Sequence, residues 1–277
     1  VKVMLCVLSS SIGAVATALA LAVGPYVLTG PRNHRTNYRG REVFATAGVV
    51  LAKPLFVGAI ASTLFGPHER VPLMMLAGAS AMGLLGYLDD VYGSRHAGGL
   101  IGHARALLKG QITTGMAKAV GGAVTGLAAA FFLDEWRGGW VVAAGAVVAL
   151  SSNLTNLLDL RPGRALKAWV VAAAALLAVG VEGGGAPVVV TLIAGAGVFA
   201  VPELREEVML GDTGANLLGT ALGIATIASV GRTALLVVLG VLVALTLASE
   251  RVSFTKVIDA TPPLRWFDQL GRVGDGT

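Results

Sequence analysis

Charge is scarce in this chain. Asp, Glu, Lys and Arg make up 13% of its 277 residues and aromatics 6%, against 55% hydrophobic residues and a mean hydropathy of +0.76. A soluble domain cannot cover that much apolar surface, so the composition predicts a polytopic membrane protein. Cysteine is almost missing: Cys6, inside the first apolar run, allows no intramolecular disulfide and has no metal-ligand partner. The first apolar run, Val3 to Leu28, is too long for a signal-peptide core and lacks a convincing cleavage site, so it reads as a retained span. No internal repeat is strong enough to mark the inverted halves of a transporter. No stretch is long and polar enough for a separate soluble domain. The expectation is one transmembrane domain over residues 1–277, with a polar tail from about 250 and no nucleic-acid partner.

What is present is a series of apolar runs. They predict an all-α helical bundle with nine transmembrane helices, at 3–28, 44–65, 72–88, 112–133, 140–158, 165–180, 187–201, 213–230 and 233–249. A short helix is expected around Leu264 to Leu270 in the tail. The 38 glycines suit close helix packing in lipid, where small residues let backbones approach. Lys53 is the main charge deep in a span and either snorkels or pairs. Loop charge sets the orientation. Loops 30–43, 89–111, 158–167 and 202–212 and the tail hold about fifteen Lys and Arg, whereas the opposite side holds Lys2, Arg70, Arg137 and Arg232. The positive-inside rule then puts the N-terminus outside and the C-terminus in the cytoplasm.

Three junctions between apolar runs and acids fall on that cytoplasmic side. In GYLDDVYG, Asp89 and Asp90 close a span, with Arg105, Lys109 and Lys118 behind them. Paired carboxylates followed by cations suit a divalent metal holding a phosphorylated substrate; the alternative is a helix end facing solvent. In NLTNLLDLRPGR, Asn153, Asn156 and Asp159 share a helical stripe, and Arg161 and Arg164 follow. That stripe either binds a metal or a sugar or makes interhelical hydrogen bonds. The arginines bind phosphate or anchor the loop at the headgroups. In MLGDTGANLLG, Asp212 stands between Gly211 and Gly214, which would let the backbone approach a ligand, at a helix start that favours phosphate. The alternative there is a helix cap by Asp212.

These three runs, in this order between spans, resemble the polyprenyl-phosphate N-acetylhexosamine-1-phosphate transferases, the superfamily of phospho-N-acetylmuramoyl-pentapeptide transferase. NYRGREVFATAG is similar to that family's first cytoplasmic loop, and the likeness covers nearly the whole chain. The resemblance implies transfer of a sugar-1-phosphate from a UDP-sugar to polyprenyl (undecaprenyl) phosphate, with Mg²⁺ and release of UMP, in cell-wall or surface-polysaccharide synthesis. It implies a bacterial inner-membrane protein with a cytoplasmic site; a homodimer stays an open alternative. By that likeness Asp89 and Asp90 are the paired active-site acids, Asp159 is the acid of the asparagine motif, and Asp212 is the Mg²⁺ ligand.

The chemistry asks for such residues independently. Two anionic reactants must meet, so a Mg²⁺ held by Asp212 and Asp89 would cancel repulsion and help UMP leave. Arg105, Lys109 and Lys118 add charge stabilisation. Two departures from the family pattern stand out. The asparagine motif usually continues as DG-x-DG, where this chain has Asp159, Leu160, Arg161, Pro162 and Gly163, which leaves nucleotide recognition open. The family's last cytoplasmic loop carries a His cluster, whereas the four histidines here are His34, His68, His96 and His103. Arg251, Lys256 and Arg265 in the tail are the candidates to take over its charge role, with Arg251 foremost. A non-catalytic lipid-phosphate or nucleotide-sugar binding relative and a transporter remain the competing classes.

Overall fold

The computed structural model describes residues 2–27, 30–37, 39–65, 70–93 and 113–273. The helices α1 (Lys2–Val27), α2 (Ala52–Phe65), α3 (Arg70–Tyr92), α4 (Thr114–Phe132), α5 (Gly139–Leu158), α6 (Arg164–Val179), α7 (Ala186–Leu204), α8 (Gly211–Ile227) and α9 (Arg232–Ser249) lie where the nine apolar runs fall. Among the described residues, seven spans are long and apolar enough to cross a membrane; the one containing α2 begins in a 3₁₀ turn at Ala47. The other two helices, α6 and α8, have 16 and 17 residues.

α8 is short because it is the core. From Thr213 to Ile227 every residue but Leu222 is buried, fourteen in all, so the helix is enclosed almost all round. It packs most extensively against α3 and α5. Its sequence, GDTGANLLGTALGIATI, is rich in Gly, Ala and Thr, which allow the close backbone approach that replaces hydrophobic driving force between helices in lipid. A Cβ at Gly86 of α3 would collide with the Asp212 carbonyl, so only glycine lets α3 and α8 meet at the level of the acids. Trp136 and Trp169 each donate their indole N–H to an α8 carbonyl, Ile227 at 3.0 Å and Leu218 at 2.7 Å. Outer helices carry the opposite pattern: Val3, Val7, Ile12, Val15 and Leu19 on α1 and Leu236, Val237 and Val241 on α9 are exposed, as lipid-facing side chains are.

The described chain is 79% helical, as an all-α membrane bundle is, with one small addition in a loop. A two-stranded antiparallel hairpin, β1 (His34–Thr36) and β2 (Glu42–Phe44), forms in the first polar loop. Its turn is made locally: the Asn37 side-chain oxygen accepts from the Arg39 and Arg41 N–H groups at 2.9 and 3.0 Å. The Met209 N–H donates to the Phe44 carbonyl at 2.9 Å, which ties the hairpin to the segment entering α8. In the tail, two short helices, α10 (Phe254–Ala260) and α11 (Pro262–Gln269), follow α9; the second coincides with the helix expected from the sequence. Lys53 is exposed in the first turn of α2.

Candidate active site

The three motifs converge at one end of the bundle, where α3 ends and α8 begins. Asp90 is buried, 4% exposed, and its carboxylate accepts from the Asp212 N–H at 3.1 Å, the Thr213 N–H at 2.9 Å and the Thr213 hydroxyl at 2.6 Å. A helix start leaves backbone N–H groups without intrahelical partners, and here an acid from another helix satisfies two of them while meeting the positive end of the dipole. Asp90 is thus the cap of α8. Arg35 of β1 does the converse for α3: its guanidinium donates to the Asp89 carbonyl at 3.1 Å and to the Asp90 carbonyl, at the end where carbonyls are left over.

With Asp90 engaged in this way, Asp89 and Asp212 are the two carboxylates that face a common cation. Both carboxylates bind the ammonium of Lys118, in the second turn of α4, Asp89 at 2.5 Å. The side chains are 18%, 26% and 16% exposed, so this charge cluster is sheltered yet open on one side. Gly211 and Gly214 were expected to admit a ligand. They instead admit the protein: Gly211, at φ +65°, lies against the Ala45 carbonyl and the Asp90 carboxylate, and Gly214 packs on Gly48 and Leu210.

The asparagine motif reaches the same end from α5. Asn153 is exposed, and the Asn156 side-chain oxygen is buried with no hydrogen-bond partner. Asp159 is the C-cap of α5. Burial pushes its carboxyl up to about 7, with the Asp90 charge adding to the rise and the Gly211 N–H opposing it. Asp159 and Arg161 line a small cavity of about 50 Å³ together with Asn37, Glu203, Glu206 and Met209. Glu206 holds φ +61°, a conformation disfavoured for a side chain of this kind. Arg39 at 3.1 Å and Asn37 at 3.2 Å grip its carboxylate there.

Arg164 is engaged within the protein. It is buried, and its guanidinium makes two hydrogen bonds to Asp268 of α11, at 2.8 and 3.0 Å, and one to Thr255. Arg272 joins Asp268 at 2.7 Å, and Lys167 donates to the carbonyls of Phe267, Asp268 and Leu270 at the end of α11. Burial opposes ionisation of Asp268, but Arg164 and Arg272 outweigh it and hold the carboxyl below its usual range. Arg251 is exposed just past α9. Arg105 and Lys109 lie outside the described residues.

Arg35, Glu203 and Asp268 escaped the sequence reading. Arg35 sat in a loop of four arginines with nothing to single it out. Glu203 follows Pro202 at the end of a span, where an acid ordinarily faces water; it is 3% exposed and accepts from the Leu210 N–H at 3.2 Å. Asp268 carried a signal, since it is the acid of the short tail helix and faces basic loops.

The chain has no match among curated proteins. The family model of glycosyl transferase family 4 matches residues 72–230, more than half of the chain, and the match takes in Asp89, Asp90, Lys118, Asp159 and Asp212. The carboxylates that the fold gathers at one end of the bundle therefore stand within the matched segment, and the chain belongs to glycosyl transferase family 4, the family of the polyprenyl-phosphate hexosamine-1-phosphate transferases.

Proposed function

We propose that this protein transfers a sugar-1-phosphate from a UDP-sugar to polyprenyl phosphate at the cytoplasmic membrane face, releasing UMP, with Mg²⁺ bound at Asp89 and Asp212. The observation that carries the reading is the convergence of Asp89 and Asp212, 123 positions apart in the chain, on one cation in a sheltered cleft. Among the described residues no three His, Cys, Asp or Glu side chains form a metal cluster. Two carboxylates nonetheless fit Mg²⁺, which binds one or two protein carboxylates and completes its shell with water and substrate phosphate oxygens. When bound, Mg²⁺ neutralises the diphosphate and stabilises departing UMP.

The residues of the chain do the rest by position. Asp90 and Arg35 fix the ends of α8 and α3, and so set where Asp212 and Asp89 point. Lys118 supplies positive charge where two anions must approach. A lipid phosphate oxygen attacks the phosphorus that bears the sugar, and the bond from that phosphorus to the bridging oxygen of UMP breaks. No general base is needed, because the second ionisation of a phosphate monoester lies near about pH 6.

A lipid acceptor is supported by an apolar groove of about 500 Å³ between α5, α6, α8 and α9, walled by Leu154, Trp169, Leu176, Leu222 and Leu242. Its wall reaches Leu158, one residue from Asp159. The cytoplasmic orientation rests on the loop charge, which is concentrated on the end that carries the acids. The test is UMP release by purified protein in detergent with undecaprenyl phosphate and a panel of UDP-sugars. Release that requires both substrates and divalent metal is the expected result; no release with any sugar would favour a non-catalytic binding relative.

A further inference from the structure

Lys118 is oddly placed for a lysine whose only task is to meet substrate. It lies in the second turn of α4, near the end where a cation opposes the helix dipole, and its side chain is 16% exposed. An ammonium sheltered to that degree needs anionic partners. It has two, and the Oδ2 atoms of Asp89 and Asp212 that meet its Nζ are the atoms a metal would take. Asp89, at the carbonyl end of α3, opposes its own helix dipole in the same way. One ammonium between two carboxylates leaves a net negative charge, whereas a divalent cation in its place would balance both.

We propose that Lys118 is the resident counter-ion of the Asp89–Asp212 pair: it holds the two acids together before a divalent cation binds, competes with that cation for the same oxygens, and is released by it to meet diphosphate oxygens. This rests on the divalent-cation reading of the site. It differs from simple substrate binding in one respect. Deleting a substrate-binding lysine leaves metal affinity alone or weakens it, whereas deleting a competing counter-ion tightens it.

The experiment is Mn²⁺ binding, followed by electron paramagnetic resonance, to the full chain in detergent without substrate. Wild type is compared with Lys118→Gln and Asp212→Asn. The expected result is that Asp212→Asn loses the site and that Lys118→Gln binds Mn²⁺ at least about tenfold tighter, since close charge pairs couple by that much or more. Unchanged or weaker binding by Lys118→Gln, with binding still lost in Asp212→Asn, overturns the counter-ion role and leaves the metal site standing. Binding indifferent to Asp212→Asn overturns both. A second measurement needs no variant: acetylation of Lys118 in the wild-type chain by an amine-reactive ester, read by peptide mass spectrometry. Mg²⁺ is expected to raise the rate several-fold, and an unchanged or slower rate overturns the release.

Discussion

Asp89 and Asp90 are neighbours in the chain, yet one faces Lys118 and the other accepts three hydrogen bonds from the first turn of α8. Substitution should separate them. Asp90→Ala removes a charged acceptor from the Thr213 N–H and hydroxyl and the Asp212 N–H, and is expected to cost about 2–4 kcal/mol of stability. Asp89→Asn leaves Lys118 paired with Asp212 and should cost less stability than Asp90→Ala while abolishing transfer. Thermal unfolding in detergent, set beside turnover, checks both; an Asp90→Ala protein as stable as wild type would remove the capping role. At this scale the acids were legible because carboxylates at the ends of apolar runs are few. Their division of labour was not, because it depends on which neighbour Gly86 lets close. The roles of Gly211 and Gly214 were misjudged for the same reason: close approach was foreseen, but the partner is the backbone of the protein itself.

Among the elements, the tail helix α11 and the start of α6 are joined by the buried pair Arg164–Asp268. The Asp268 carboxyl is depressed in the folded protein, so its contribution is present above the unfolded value, about 3.9, and is lost as pH falls through the lower folded value. Wild type should therefore lose stability below about pH 4 more steeply than Asp268→Asn, which has no carboxyl to protonate. At neutral pH the same variant leaves Arg164 buried without its partner and should cost about 3 kcal/mol or more. Melting curves across pH 3–7 check the slope, and parallel profiles for the two proteins would contradict the linkage. Among the described residues the apolar runs made helices α1 to α9 visible, but α6 and α8 fall short of the length that marks a span. α8, enclosed by its neighbours, need not match the hydrocarbon thickness by itself. The hairpin was hidden because HRT and EVF are three-residue strands with no alternating pattern, and they are held by Asn37 and by pairing to the segment before α8.

For the whole molecule, the account joins a charged cleft at one end of the bundle to an apolar groove along its side. The central claim is that the reaction moves phosphorus, not only sugar, to the lipid. Family membership and the charge at Asp89, Lys118 and Asp212 favour it, since a cleft built to balance anions suits attack at phosphorus. The departures at Arg161 and in the tail bear on which donor is used, and they leave this claim untouched. It can be read directly from a UDP-sugar labelled at the β-phosphorus, incubated with purified protein, undecaprenyl phosphate and Mg²⁺. The account predicts that the label enters the organic-soluble lipid while unlabelled UMP is released, and that neither occurs with Asp212→Asn. Label that stays in water as UDP while the sugar reaches the lipid would contradict it.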